Sequence, residues 1–275
     1  MTLAEALSAA GALGLHRLDG QLLLLHALGR SPGERAWLLA HDTGALADAA
    51  QLDFMSFCER RAAGEPLAYI TGRKEFFGMA LRVDSRVLVP RPDTETLVEW
   101  GLEVVRDRPA PRIVDLGTGS GAIALAVKRQ RPDALVTATD RSAGALEVAA
   151  ANARGLNVDI AFRRASWLVG IDMRFDLIVS NPPYIATRDE HLAALAHEPQ
   201  GALVAGPDGL DDLRTIIGQA PGRLVAGGWL LLEHGYDQAD AVRVLLAGAG
   251  FQDIGSRADL AGIPRCSGGQ WLELG

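Results

Sequence analysis

From Asp93 onward, short strand-like runs alternate with longer segments of helical spacing, and this alternation constrains the fold more than any other feature of the chain. The runs are "RIVDLG", "LVTATD", "DIAFRRA", "FDLIVS" and "GGWLLLEH"; between and after them lie "GAIALAVKRQ", "AGALEVAAANARGL", "DDLRTIIGQAPGRL" and "DQADAVRVLLAGAG". Strands that are apolar on both faces have to be covered on both faces, and helical crossovers supply that cover. The pattern therefore predicts an α/β domain with a predominantly parallel sheet between helix layers. The final runs, "FQDIGSRAD" and "QWLELG", predict an added antiparallel pair.

Upstream the pattern differs. Segments such as "LAEALSAAGALG", "LDGQLLLLHALG" and "AAQLDFMSFCERRAAG" carry apolar residues three and four apart and end near glycine, as amphipathic helices do. The expected organisation is a small helical domain over 1–66, a linker over 67–92 and the α/β domain over 93–275. Within the linker, Glu75 to Phe77 and Met79 to Val83 are expected to pair as a β-hairpin around Gly78. The opening segment has no Lys or Arg before its apolar part, so it reads as a short helix and not a targeting segment. The leucine run "QLLLLHALG" is far shorter than a bilayer span, and no membrane is implied.

Composition narrows the partners. In 275 residues, Lys+Arg 27 against Asp+Glu 34 leaves a net charge of -7, and no basic tract offsets it. That balance argues against the footprint of a duplex-binding protein, and no direct nucleic-acid partner is expected. The two cysteines, Cys58 and Cys266, are far apart and lack metal-ligand spacing, so neither a disulfide framework nor a metal site is expected and a reducing cytoplasm fits.

The stretch "RIVDLGTGSGAIALAV" places Gly117, Gly119 and Gly121 between a strand and a helix, with Thr118 and Ser120 interleaved. Glycines there permit a tight turn and close approach of a ligand to backbone N–H groups at a helix N-terminus. The same residues also score as G-x-G-x-x-A ending at Ala122, the dinucleotide pattern of dehydrogenases. Asp140 ends the next strand, where a carboxylate can accept hydrogen bonds from two ribose hydroxyls; capping the following helix is the alternative, with Ser142 available for that task. Asp115 is expected at the strand end facing the ligand. Trp167, beside Ser166, is either a wall for a purine ring or a core residue, and its place after a strand favours the ligand. On these features dehydrogenase and methyltransferase are equally served.

The motif Asn181-Pro182-Pro183-Tyr184 separates them, because it ends the fourth strand beside the glycine loop. An amide or nucleobase amino nitrogen is planar and weakly nucleophilic. Two acceptors, the Asn181 side-chain oxygen and the Pro182 carbonyl, would hold its two hydrogens, the rigid Pro-Pro unit would keep them in place, and Tyr184 would stack on the planar group. The matching electrophile is the methyl of S-adenosylmethionine, leaving S-adenosyl-L-homocysteine as product, so that catalysis is largely alignment and needs no strong base.

With these residues in place the chain resembles the PrmC/HemK family of protein-glutamine methyltransferases. The resemblance rests on "LAYITGRKEFFGMALRVDSRVLVPRPDTETLVE", "VDLGTGSGAIAL", "SNPPYI" and "HEPQGALVAGPDGLDDLR", in that order, and covers nearly the whole chain. It implies a Rossmann-like class I methyltransferase fold with a seven-stranded sheet. It also implies a cofactor held by Gly117 to Gly121, Asp140, Trp167 and Asn181, and a glutamine amide held by Asn181 to Tyr184. The implied substrate is the Gly-Gly-Gln loop of class I peptide chain release factors, gripped by the N-terminal helical domain, with the enzyme acting as a monomer. Arg91, Thr94 and Glu95 are expected near the site without assigned roles, and Asp93 as a cap for the helix that follows. A nucleic-acid amino-methyltransferase is the alternative reading. Gly268-Gly269-Gln270 repeats the family's substrate tripeptide; self-methylation is conceivable, but a hairpin turn leading into the last strand is the expected role. His234 is expected to be structural.

Overall fold

The computed structural model describes residues 1–272 and divides the chain into two compact units, Met1–Arg73 and the remainder from Lys74. Residues 273–275, the end of the expected last strand, lie outside the described residues.

The first unit is helical: α1 (Leu3–Ala12), α2 (Arg17–Ala27), α3 (Arg35–Ala40), α4 (Asp48–Ala62) and α5 (Leu67–Thr71). A capping box starts α1, with Thr2 Oγ1 accepting from the Glu5 N–H at 3.2 Å and Glu5 Oε2 accepting from the Thr2 N–H at 2.8 Å. Leu23, Leu24 and Leu25 of α2 are all buried, together with Phe54 and Cys58 of α4 and Ile70 of α5. Three consecutive buried residues cannot lie on one helical stripe, so α2 is the central helix of this unit, and α1, α3, α4 and α5 all pack on it. The sequence reading placed Leu67–Thr71 in the linker. In the structure this segment forms α5, started after Pro66 and ended by Gly72 in the left-handed region, and its Ile70 completes the helical core.

The chain then enters a two-stranded hairpin, β1 (Arg73–Phe76) and β2 (Met79–Arg82), as expected. Phe77 and Gly78 both have positive φ, 49° and 72°, which is the geometry of a type I′ turn. Carboxylates hold this turn: Glu95 accepts from the Phe77 N–H at 3.0 Å and Glu75 from the Gly78 N–H at 2.7 Å.

The rest of the unit is α6 (Glu95–Val104), β3 (Arg112–Leu116), α7 (Ala122–Gln130), β4 (Leu135–Asp140), α8 (Ala143–Leu156), β5 (Ala161–Arg164), β6 (Phe175–Ser180), α9 (Asp211–Gln219), β7 (Leu224–Glu233), α10 (Ala239–Gly248), β8 (Gln252–Ala258) and β9 (Pro264–Trp271). The seven strands run in the order β5-β4-β3-β6-β7-β9-β8. The first five in that order pair in parallel, while β9 is antiparallel to β7 and β8. Alternate residues serve opposite faces. Leu177 and Val179 of β6 pack with Leu97, Val98 and Ile123 on one side, and Ile178 packs with Leu213, Ile216 and Val242 on the other. This two-sided burial is why the strands read as continuous apolar runs. No helix among the described residues is long and apolar enough to cross a membrane.

Gly268 and Gly269 lie inside β9 and not in a turn, because β9 runs unbroken between β7 and β8. A Cβ on Gly268 would collide with the Leu231 side chain and lie 2.6 Å from the Leu230 carbonyl oxygen; one on Gly269 would lie 2.9 Å from the Phe251 Cβ. Gln270 is held there by donation of its Nε2 to the Gly227 carbonyl at 2.9 Å. The tripeptide is thus a packing device of the sheet. Gly268→Ala is expected to destabilise the protein by about 1–3 kcal/mol through overpacking, read as a fall in denaturant midpoint at unchanged slope.

Candidate active site

The strand order reverses beside β3: the chain moves outward through β4 and β5 and returns with β6 on the other side of β3. Open α/β sheets form their ligand crevice at such a point, beyond the carboxyl ends of the strands. The register pairs Leu116 with Ser180, so Gly117 and Asn181 leave the sheet side by side, and Ser180 Oγ donates to the Leu116 carbonyl at 2.7 Å. A cavity of about 200 Å³ opens there, lined by the glycine loop, Asp140, Trp167, Asn181 and Pro183, by the 86–94 segment and by Pro199, Gly201 and Ala202.

All three loop glycines adopt positive φ, 69°, 54° and 85° in order. A Cβ on Gly117 would come 3.1 Å from the Trp167 ring, and one on Gly121 3.2 Å from the Ala149 Cβ, whereas Gly119 meets nothing within 4 Å and faces open space. The first and last glycines therefore serve packing, and the middle one leaves the backbone bare toward the cavity. Asp140 Oδ2 accepts from the Gly119 N–H at 3.0 Å and Oδ1 from the Ser142 N–H at 2.8 Å, and lone pairs remain on both oxygens. The helix cap belongs to Ser142, whose Oγ accepts from the Ala145 N–H at 3.2 Å. Trp167 forms one wall, with φ of 52°. Asp115 lies beneath the loop and not on the cavity wall. Its Oδ2 accepts from Thr118 Oγ1 at 2.5 Å and the Ala124 N–H at 3.2 Å, and burial pushes its pKa up to about 7.

Asn181 donates from Nδ2 to Thr94 Oγ1 at 3.2 Å, and the Glu233 carboxyl lies beside both side chains with its Oε2 buried and without a hydrogen-bond partner. The Asn181 Oδ1 atom is buried with no hydrogen-bond partner. A buried acceptor left unmet costs about 1–3 kcal/mol, so this oxygen is one for which a ligand donor is the natural complement. Pro183 lines the cavity beside it. Pro182 and Tyr184 do not; the Tyr184 ring packs toward the cluster of Leu213 and Leu230, and its carbonyl accepts from Gln238 Nε2 at 3.0 Å.

The roles left open by sequence reading are visible here. Arg91 ion-pairs with Glu198, a 5% exposed acid that also accepts from the Val89 N–H at 3.1 Å and so fastens the 86–94 segment along the cavity. Thr94 holds Asn181, and Glu95 holds the hairpin turn. Asp93 caps nothing; it pairs with Arg265 at 3.3 Å. His234 is buried between the Gly235 carbonyl and Ser267 Oγ, each 2.8 Å away, in keeping with a structural role. Sequence reading did not single out Glu198, Glu233 or Asn152. Asn152 joins the Ser120 carbonyl of the glycine loop, at 2.9 Å, to both backbone groups of Arg82 in β2. An acid ending an apolar strand, as in "LLLE", was the available signal for Glu233. Among the described residues no cluster of His, Cys, Asp and Glu is arranged to hold a metal ion.

Sheet order, glycine loop and the Asn-Pro-Pro-Tyr strand end together define a class I methyltransferase. Comparison with known proteins agrees. The methyltransferase small domain model matches residues 96–203 and the PrmC N-terminal domain model residues 2–72. A release factor glutamine methyltransferase of Bordetella pertussis is 52% identical over 260 residues, covering 93% of this chain and 95% of that one. Another, of Burkholderia pseudomallei, is 48% identical, covering 93% and 92%. The chain belongs to the release factor glutamine methyltransferase family. Among solved structures, a methyltransferase from Pyrococcus furiosus shares the fold with TM-score 0.55 at 16% identity, covering 78% of this chain and 97% of that one. The ribosomal protein L11 methylase of Lactobacillus delbrueckii subsp. bulgaricus does so with TM-score 0.50 at 24% identity, covering 69% and 85%.

Burial pushes the Glu233 pKa up to about 7, aided by Asp93 and opposed by the neighbouring Thr94 and Asn181 side chains and by Arg265. A carboxyl whose pKa rises on folding contributes stability that is complete below its unfolded value, about 4.5, and is lost as pH rises through about 7. Glu233→Gln removes this titration. The stability of the wild type relative to Glu233→Gln is expected to fall between those two pH values, as measured by parallel denaturant titrations.

Proposed function

We propose that the protein transfers a methyl group from S-adenosylmethionine to the side-chain amide nitrogen of the glutamine in the Gly-Gly-Gln loop of a class I peptide chain release factor. The observation that carries this reading is the unpartnered Asn181 Oδ1, held at the cavity beside the glycine loop. Family membership supports the substrate: the similar proteins of Bordetella pertussis and Burkholderia pseudomallei are named for glutamine methylation of release factors.

The residues present suit the cofactor. The open approach at Gly119, the free lone pairs of Asp140 for ribose hydroxyls, and the Trp167 ring for a flat purine would accommodate it. When bound it supplies a methyl group made electrophilic by a sulfonium. The chain's own part is placement. Asn181 Oδ1 and the Pro182 carbonyl accept the two N–H groups of the glutamine amide, which favours rehybridisation of the nitrogen and turns its lone pair toward the methyl. The two buried prolines restrict the backbone that carries these acceptors. The alkylated amide is acidic enough to lose its proton to water, so a strong base is unnecessary. The helical unit is assigned to docking of the release factor, and the enzyme to action as a cytoplasmic monomer, since a single glutamine loop needs one active site.

Incubation with labelled S-adenosylmethionine should label an intact class I release factor, but not the same factor with its Gly-Gly-Gln glutamine replaced, nor tRNA or DNA. Label on nucleic acid would overturn the substrate and favour the amino-methyltransferase alternative. Asn181→Ala is expected to lower kcat about 100-fold or more while cofactor affinity changes by no more than about threefold.

A further inference from the structure

An asparagine carboxamide has two ends of nearly equal size and opposite chemistry: Oδ1 accepts two hydrogen bonds and Nδ2 donates two. A half-turn about its last bond would present donors to the donors of a substrate amide. Something behind Asn181 must therefore select one orientation. We propose that Thr94 and Glu233 are positioning residues that lock the Asn181 amide with its nitrogen inward and its oxygen outward, a role that rests on the glutamine-methylation reading above.

Three segments bring these groups together. Asn181 follows β6, Glu233 ends β7, and the β6–β7 register, Ser180 opposite Leu232, sets them side by side. Thr94 comes from the short turn Pro92–Thr94 before α6. Thr94 and Glu233 are 5% and 1% exposed, so water does not offer substitute partners. A hydroxyl has a single proton. Thr94 Oγ1 accepts from Asn181 Nδ2 at 3.2 Å, which leaves its own proton to turn toward the neighbouring Glu233 carboxyl. In its ionised form, above a pKa raised to about 7, the Glu233 carboxylate can only accept as well. The bond therefore runs from Asn181 to Thr94, with the Glu233 carboxyl beside both side chains. A turned amide would bring its oxygen toward the ionised Glu233 carboxylate in a buried site, which is costly. The amide atom without a partner is Oδ1, on a residue that lines the cavity.

The test uses Thr94→Val, close in shape and without the hydroxyl, and Thr94→Ser, which restores it. In the full-length enzyme, Thr94→Val should lower kcat at least about tenfold while KM for the release factor and cofactor affinity stay within about twofold; Thr94→Ser should recover the loss. Independently of activity, the Asn181 side-chain amide protons, identified in NMR spectra by their absence from Asn181→Asp, should exchange with solvent at least about tenfold faster in Thr94→Val than in wild type or Thr94→Ser. Wild-type kcat and exchange in Thr94→Val, a Thr94→Ser as impaired as Thr94→Val, or a parallel loss of cofactor affinity would each overturn the proposal. If wild-type enzyme methylates no release factor, the functional reading falls, and the exchange comparison alone decides whether Thr94 locks the amide.

Discussion

The parallel pairing of β3 with β6 is the constraint on which the rest of this structure depends. Their register brings Leu116 opposite Ser180, so the glycine loop and the Asn-Pro-Pro-Tyr segment leave the sheet at one level and face one cavity. A shift of one residue in that pairing would turn Leu177, Ile178 and Val179 to the wrong layers, and the two apolar clusters would no longer close. Burial on both faces thus fixes the register, and the register places the two motifs that meet there. Methyl transfer between bound partners depends mainly on alignment, and a sheet packed on both sides is a stiff frame for holding it.

Buried carboxyls then tie the surrounding segments to this frame. Glu198 receives Arg91 and the Val89 backbone, Asp115 receives Thr118 and the start of α7, and Glu233 lies beside Thr94 and Asn181. Each is nearly or wholly shielded from solvent, and burial has raised the pKa of Asp115 and Glu233. Such groups are costly to place in a core unless several donors converge on them. Here Glu198 takes its donors from the 86–94 segment, whereas Asp115 Oδ1 and Glu233 Oε2 are buried without one. Asn152 does the corresponding work for the glycine loop with a neutral side chain, using all of its bonds on backbone groups.

Much of the architecture was legible because it is written in short-range patterns. The alternation of strand-like and helical runs, the glycines at alternate positions after "RIVDL", the acid at the end of "LVTATD" and the Asn-Pro-Pro-Tyr segment each follow from local chemistry. A positive φ asks for glycine, a strand end at a crevice offers its side chain to a ligand, and consecutive prolines restrict the backbone. Where sequence reading departed from the structure, a contact distant in sequence had intervened. Leu67–Thr71 resembles linker until Ile70 is seen in the helical core. Gly268-Gly269 resembles a turn until Leu231 and Phe251 are seen against it. Asp93 resembles a helix cap until Arg265 is found beside it.

The sequence by itself determined that the chain builds a parallel sheet covered by helices, that a glycine loop follows the first strand of that sheet, and that an asparagine on rigid backbone ends a neighbouring strand. Those properties reside in residue type and spacing, which the unfolded chain already possesses. The tertiary structure decided which side chains stand behind the asparagine, which atom of its amide is left without a partner, and that the 86–94 segment lines the cavity while Tyr184 does not. No local pattern encodes these outcomes. They depend on strand order and register, which arise only when burial on both faces of the sheet selects one arrangement of the whole chain.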